Sequence, residues 1–227
     1  EASNKPVSGL VFDNLLAITL LTEPGVLVTP EQFYDLVFQA YPENDVFDLS
    51  MHSRKMEMYN VPLYSGASVF STLLPDKFAY KRGPINKESV VIINGVLLHG
   101  QLSKADVGTS NRSIIHQLYL QYGNKTAADF IDRANFLLNR YIMYYPVSVG
   151  YEDCLPPDQE HEARRKLEVT QLSRDLISMG GMTQDHLEDQ RREAEIVARI
   201  NTTQSRLDKL AFDKLDPSNA FILSIMS

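Results

Sequence analysis

The sequence predicts an α+β fold, a mixed helix/β-hairpin domain over residues 1–156 followed by an antiparallel helical hairpin over 157–227. Three observations carry this. "VVIING" and "VLLHGQL" are apolar, β-branched-rich runs flanking Asn94-Gly95, the dipeptide best suited to a two-residue hairpin turn. Several other segments before residue 150 repeat apolar residues at helical spacing. After Pro157 the composition shifts to two charged, glycine-poor, helical stretches separated by Gly180-Gly181. The boundary between the two parts falls near residues 155–158.

Taken in order, residues 6–21 read as a helix. Pro6 suits a first-turn position, and Val7, Leu10, Val11, Leu15, Ile18 and Leu21 recur on one side. "TPEQFYDLVFQAY" is a second helix, with Thr29 as N-cap, Pro30 at the first helical position and a stripe of Phe33, Leu36, Val37 and Tyr41. Residues 42–62 are polar and Met-rich and read as an extended loop. "SGASVFSTLLP" is a short helix ended by Pro75. The Asn94-Gly95 hairpin follows, preceded by "YKRGP" (80–84) as a loop. Beyond it comes a polar loop holding Lys104 and "GTSN", then a helix from Asn111 that stops at Gly123. "NKTAADFIDRANFLLNRYIMYY" is a longer amphipathic helix with Ala128, Ile131, Phe136, Leu138 and Ile142 toward its buried side. "PVSVGYEDCLPP" reads as a turn, a short strand and a break. The last two helices have a thin apolar stripe, so they are either exposed on both flanks or docked on a partner.

With 227 residues and 44% hydrophobic side chains, the chain can bury a core. The formal net charge of −7 argues against a free-standing nucleic-acid binder. The single cysteine, Cys154, rules out an internal disulfide and a zinc site built on several cysteines, and fits a reducing compartment. "EASNKPVSG" lacks the basic start and cleavage site of a signal peptide. "GLVFDNLLAITLL" is broken by Asp13 and Asn14 and falls short of the roughly 20 residues a membrane span needs, so a soluble protein without a membrane partner is expected. The absence of a starting Met suggests an excised piece.

No motif announces catalysis. His116 lies on the Ile115–Leu118–Tyr119 side of a helix, and His99 in a strand; a lone histidine in such a place is more often a core or hydrogen-bonding residue than a catalyst. His161 and His186 sit on charged helices and read as solvated. Cys154 follows Glu152 and Asp153, which disfavour a thiolate, so it reads as structural. On an extended chain Glu152 and Asp153 would point to opposite faces, and Asp153 is better suited to pinning the following turn. "ARRK" (163–166) and "QRRE" (190–193) are basic clusters on acid-rich helices, as solvated faces usually are. By contrast "YKRGP", Lys87, Lys104 and Arg112 could together form one basic rim able to meet phosphates.

"INGVLLHGQLSKADVGTSNRSIIHQLYLQYG" resembles the pore segment of the largest subunit of multisubunit DNA-directed RNA polymerases. That family reads as a hydrophobic strand, (I/V)-x-(N/D)-G-x-(L/I)-x-x-G-x-(L/V)-x-K-x-x-(L/V)-G, a Ser-rich turn and a helix with (L/I)-(I/V)-H. Asn94, Gly95, Gly100, Lys104, Gly108, Ser110, Asn111 and His116 occupy matching places. Asn139, Ser148, Gly150 and Asp153 match a following block, and Pro6, Gly9, Asp13 and Leu16 an earlier one. Residues 158–214 resemble the funnel of the same subunit, and "NAFILSIMS" the run entering a Gly-Ser-Lys-Gly element. The likeness covers nearly the whole chain in the right order. Arg112-Ser113 stand where the family often has glycines, Phe12 where Gln is usual, and Pro146 in place of the Gly-Phe pair before Ser. These departures suggest a divergent lineage, with a large DNA virus as one candidate.

The resemblance implies a non-catalytic piece lining the channel through which nucleotides enter and a backtracked RNA 3′ end is extruded. It puts Lys5, Lys104, Asn111 and Arg112 at that channel and gives Gly95, Gly100, Gly108, His116 and Asp153 structural places in the motif. It implies no catalytic residue, metal ligand or cofactor within this chain. The Mg²⁺ of the parent enzyme would be held by an Asp-Phe-Asp-Gly-Asp loop expected upstream of residue 1, with the bridge helix and trigger loop downstream. The implied partners are the rest of the same subunit, other polymerase subunits, NTPs and the RNA 3′ end in transit, and a transcript-cleavage factor at the funnel. The implied location is the nucleus, or cytoplasm and virion for a viral enzyme. The residues alone also allow a stand-alone adaptor whose helical hairpin binds a protein partner and, more remotely, a small enzyme using His116 or Cys154.

Overall fold

The computed structural model describes residues 6–41, 47–83, 89–155, 158–178 and 186–212. They fall into two compact units that meet in sequence between Val147 and Ser148.

The first unit is built on three helices: α1 (Asp13–Leu21), α2 (Pro30–Ala40) and α7 (Asn124–Tyr144). α2 starts as its sequence dictates. Gln32 N–H donates to Thr29 Oγ1 (3.2 Å) and Thr29 N–H donates back to Gln32 Oε1 (3.0 Å), a reciprocal cap with Pro30 just inside. Its Phe33, Leu36, Val37 and Ala40 are buried and pack on α7. Arg140 on α7 grips Asp35 on α2, Nε to Oδ2 at 2.5 Å, with the Tyr144 hydroxyl donating to the same oxygen (2.7 Å). Fully buried Phe33, Phe70, Phe78 and Phe130 form the centre of the core. Phe70, on α4 (Gly66–Ser71), meets Phe130 on α7 edge-to-face, with centroids 6.3 Å apart.

A small antiparallel sheet runs in the order β1 (Tyr80–Arg82), β2 (Val90–Ile93), β3 (Val96–His99). Tyr80 pairs with Ile92, and Ile93 with Val96, with a bulge between Val91 and Ile92. Asn94 and Gly95 both have positive φ, 50° and 70°, as a tight primed turn requires. Gly95 is buried and docked, while Asn94 stays exposed. Gly95 N–H donates to Phe78 O (2.7 Å), Asn94 Nδ2 donates to the Tyr59 hydroxyl (2.5 Å), and a Cβ on Gly95 would stand 2.5 Å from Pro75 O.

Several expectations are corrected. The helix predicted over 6–21 starts only at Asp13, because Phe12 has φ 52° and Leu10 N–H donates to Val107 O (3.0 Å) in place of a helical carbonyl. Residues 42–62 are not all loop: α3 (Leu49–Met58) starts at N-cap Asp48, whose carboxylate accepts from Met51 N–H (3.0 Å). His52 and Met56 are its buried residues, with Leu49 partly buried against the core, too few positions to show a stripe. "YKR" is a strand, too short to reveal a period, and its pairing with β2 is tertiary. The helix expected from Asn111 is α6 (Ile114–Tyr122), delayed by Arg112 at φ 66° and capped by Ser113. On α7 the buried face is Ala127, Phe130, Ala134, Leu137, Leu138 and Tyr141; of the predicted stripe Leu138 is buried and Ile131 and Ile142 pack on the core, while Phe136 is 59% exposed and Ala128 exposed, on a helix with apolar residues on two sides. Residues 146–155 hold a single 3-10 turn, Glu152–Cys154, instead of a strand.

In the second unit α8 (Gln159–Ser178) and α9 (His186–Phe212) pack antiparallel. Arg206 on α9 pairs with Glu168 midway along α8, while Glu195, earlier on α9, shares a groove with Asp175 near the end of α8. Most ion pairs here join residues three or four apart on one helix, such as Glu162 with Lys166 (3.1 Å) and Glu188 with Arg192 (3.0 Å). The apolar seam is thin: Leu167 and Ile177 are both largely exposed. Gly180-Gly181 lie outside the described residues, as do the side chains of His161 and His186.

Candidate functional site

The segment after β3 is fixed to α1 before it reaches the turn of interest. Leu102 N–H donates to Thr22 Oγ1 (3.0 Å), Thr19 Oγ1 donates to Leu102 O (3.0 Å) and Gln101 Nε2 donates to Thr19 O (2.9 Å). Gly100, at φ 93°, has no room for a side chain, since a Cβ would fall 1.9 Å from Ser89 O. From this base rises a one-turn helix, α5 (Lys104–Val107).

Asp106 anchors α5. Its side chain is fully buried, and its carboxylate accepts from Ser103 N–H (2.9 Å), Ser103 Oγ (3.1 Å) and the Tyr80 hydroxyl (2.9 Å). Arg82 Nε stands 3.0 Å from Asp106 Oδ1 but is not aligned to donate a hydrogen bond, while Nη1 of the same guanidinium donates to Ser103 Oγ (3.0 Å). These donors satisfy a polar group that would otherwise be costly to bury. Burial, and then the charge of Asp106, push the Tyr80 phenol well above its usual range. The "YKRGP" and Lys104 segments are therefore joined, but through a buried knot rather than a shared rim. Arg82 points into this knot, and Lys87 lies outside the described residues.

The N-terminal segment packs on the end of α5. A Cβ on Gly9 would stand 2.8 Å from Gly108 C, so the N-terminal segment comes this close only because residue 9 is glycine, while one on Gly108 would stand 2.5 Å from Lys104 O, so Gly108 lets its own turn close on Lys104. Beyond Gly108, Ser113 N–H donates to Ser110 O (3.2 Å), Ser113 Oγ accepts from His116 N–H (3.3 Å) and Arg112 N–H donates to His116 Nδ1 (3.1 Å). His116 is thus a hydrogen-bonding residue of the loop. Lys104, Asn111 and Arg112 are all exposed on this one anchored turn, whereas Lys5 lies outside the described residues. Asp153 belongs to the other unit, where it accepts from Gly150 N–H (2.8 Å) and so pins the turn before it. Cys154 is exposed with Sγ 3.6 Å from Gly150 O, and His99 stands at the exposed end of β3.

Two residues escaped the sequence. Asp106 had a signal in Ser103-x-x-Asp106, the spacing of a capping pair. His52 had none. It is buried against Phe47 and Phe33, its Nε2 is 2.9 Å from Ser68 Oγ, and burial pushes it down to about 4. It borders a cleft of about 430 Å³ that also touches Lys55, Asp76 and Asp129. Among the described residues no group of three or more His, Cys, Asp or Glu side chains is placed to hold a metal ion, and no helix is long and apolar enough to cross a membrane.

Comparison with known proteins supplies the context. The chain is 29% identical over 163 residues to the DNA-directed RNA polymerase subunit Rpo1N of Thermoplasma acidophilum, covering 65% of this chain and 18% of that protein. It is 26% identical over 233 aligned positions to a probable DNA-directed RNA polymerase II subunit RPB1 homolog of Invertebrate iridescent virus 6, covering 96% of this chain and 21% of the relative. A third relative, Rpo1N of Halobacterium salinarum, is 25% identical over 70% of this chain. The chain thus spans about a fifth of the length of these curated relatives. The family described as RNA polymerase Rpb1, domain 3, matches residues 1–154, which contain the whole 104–113 turn and everything that anchors it, and the chain belongs to that family.

Proposed function

We propose that this chain serves as a channel-lining, non-catalytic part of the largest subunit of a DNA-directed RNA polymerase. The 104–113 turn borders the passage used by incoming nucleotides and by the 3′ end of backtracked RNA. The observation that supports this best is the contrast on that turn. Asp106 and Ser113 are turned inward and paired, while Lys104, Asn111 and Arg112 are left exposed. An exposed ammonium and guanidinium give loose, replaceable contacts to phosphates, which suits passage better than capture.

The rest of the same subunit and the other polymerase subunits are the partners this assignment requires. The α8–α9 hairpin, with charged flanks and a thin seam, is assigned to the channel mouth as the docking surface for a transcript-cleavage factor. The Mg²⁺ needed for nucleotidyl transfer is held by residues outside this chain. The adaptor alternative draws no support from the family match. A viral lineage is favoured by the iridescent-virus relative, whose alignment takes in 96% of the chain, against 65% and 70% for the archaeal pair.

The test is Lys104→Ala in the complete polymerase. The expected result is a raised KM for NTPs or slower cleavage of backtracked transcripts, with assembly intact. Wild-type values for both would remove the channel role.

A further inference from the structure

The left-handed residue on the turn has a dedicated partner. Arg112 has φ 66°, a conformation that costs an ordinary L-residue about 1 kcal/mol or more. The family pattern often carries glycine here, which adopts that backbone freely. Arg112 is exposed, so its side chain offers no packing in return. What the strained backbone does gain is one hydrogen bond, Arg112 N–H to His116 Nδ1 at 3.1 Å.

That bond fixes the chemistry of the imidazole. The only donor is a backbone N–H, so Nδ1 carries the lone pair and the ring proton sits on Nε2. The backbone of His116 is held as well, since its N–H donates to the N-cap oxygen of Ser113 (3.3 Å). His116 also lines a groove of about 550 Å³ with Pro6, Val7, Ser8, Tyr119 and Asn124. One residue therefore joins the cap of α6 to the strained residue at the edge of this groove.

We propose that His116 is a positioning residue for the channel turn: its Nδ1 holds Arg112 in the left-handed conformation and so sets where the Asn111 and Arg112 side chains stand. The functional half of this rests on the channel assignment above; the structural half does not. Neither the predicted motif place of His116 nor the family match gives it this task.

The test uses the polymerase assembled with the complete largest subunit and three variants of it, His116→Phe, His116→Asn and Arg112→Ala. Phenylalanine keeps the ring and removes the acceptor; asparagine places a carbonyl oxygen near the Nδ1 position. Amide exchange at Arg112 should quicken about fivefold in His116→Phe, the amount one ordinary hydrogen bond supports, with Leu118 unchanged as an internal control. His116→Asn should restore the wild-type rate. In kinetics His116→Phe should move KM for NTPs or the cleavage rate in the same direction as Arg112→Ala while leaving kcat for elongation unchanged, and His116→Asn should recover it. Unaltered exchange at Arg112 in His116→Phe would overturn the proposal, as would equal acceleration in His116→Asn. Altered exchange with Arg112→Ala at wild-type KM and cleavage would uphold the positioning bond and remove the channel assignment instead. If His116→Phe fails to fold, His116→Gln, whose oxygen lies toward the Nε2 position, replaces it and should behave as the variant lacking the acceptor.

Discussion

The Tyr80 hydroxyl donates to the fully buried carboxylate of Asp106 at 2.9 Å, joining the edge strand of the sheet to the helix that carries Lys104. Asp106 is also served by Ser103 and faced by Arg82. Removing one partner of such a group leaves the others buried and unpaired, which costs more than the bond contributes. Asp106→Ala is therefore expected to destabilise the first unit by about 2–4 kcal/mol, below the full figure for a buried ion pair because Arg82 is one-third exposed. Tyr80→Phe removes one neutral donor and should cost about 1 kcal/mol. Urea denaturation of the two single variants and the double variant checks this. An additive double variant would deny that the two residues act together.

Asp35 offers the contrasting case. It is gripped by Arg140 at 2.5 Å and by Tyr144, and its carboxyl is held below the usual range chiefly by the Arg140 hydrogen bond. Yet both ionic partners are about one-third exposed, so solvent screens the pair. Asp35→Asn should cost no more than about 1 kcal/mol despite the shorter contact. Raising salt should shrink the difference from wild type. A loss as large as that of Asp106→Ala would show that distance, not burial, governs ion pairs in this fold.

The parts of this fold that were legible in the sequence are those whose signals are local. Thr29-Pro30 and Gln32 write the start of α2 in four residues, and Asn94-Gly95 writes the hairpin in two. What escaped is tertiary. Residues 6–12 carry helical spacing, but Leu10 is drawn to Val107 across the chain and Phe12 is forced to positive φ. α3 buries His52 and Met56 and sets only Leu49 beside them on the core, so its sequence looks like a polar loop. The turn itself was half legible: the exposure of Lys104, Asn111 and Arg112 followed from polarity, while the inward aim of Arg82 depends on Asp106, which the residues of β1 do not announce.

His52 makes stability depend on acid. Burial pushes its pKa down from 6.5 to about 4, so the folded protein keeps the ring neutral where the unfolded chain protonates it. The unfolded state then binds more protons as pH falls. The contribution is intact above pH 6.5 and is lost progressively down to about 4, amounting to about 3 kcal/mol at most. His52→Gln, whose amide reaches toward the Nε2 position and so keeps a polar partner for Ser68 but does not titrate there, should flatten that part of the stability curve. The measurement is unfolding free energy between pH 7 and 4; parallel curves for the two proteins would show that His52 does not control it.

Gly9 and Gly108 test how closely the first family block must approach the 104–113 turn. Gly108 has φ −84°, so alanine there suffers no backbone strain; the obstacle is Lys104 O, 2.5 Å from the new methyl group. Gly9→Ala would set a methyl 2.8 Å from Gly108 C. Each should cost about 1–3 kcal/mol as an overpacking change. Gly83 is a useful comparison because a Cβ there meets nothing within 4 Å and its penalty comes only from φ 71°. Thermal unfolding of the three alanine variants would rank them, and a Gly108→Ala variant as stable as wild type would mean that α5 can give way.

Arg82 and Lys104 stand on neighbouring segments with the same charge, and the structure gives them opposite tasks. Arg82 turns inward to Ser103 and Asp106, while Lys104 is exposed. Arg82→Ala should lower stability by about 1–3 kcal/mol by removing the donor to Ser103 Oγ and the guanidinium that faces Asp106. Any effect on the polymerase should then follow loss of folded protein and vanish when rates are normalised to assembled enzyme. Lys104→Ala should leave unfolding within about 0.5 kcal/mol of wild type, as exposed surface changes do. Its effect should lie in KM for NTPs or in transcript cleavage, and it should weaken as salt rises, because an exposed cation meeting phosphate is screened. Measuring both variants for stability and for normalised kinetics separates the two tasks. If the kinetic defect tracks Arg82 and not Lys104, the basic group serving the passage belongs to the strand and not to the turn.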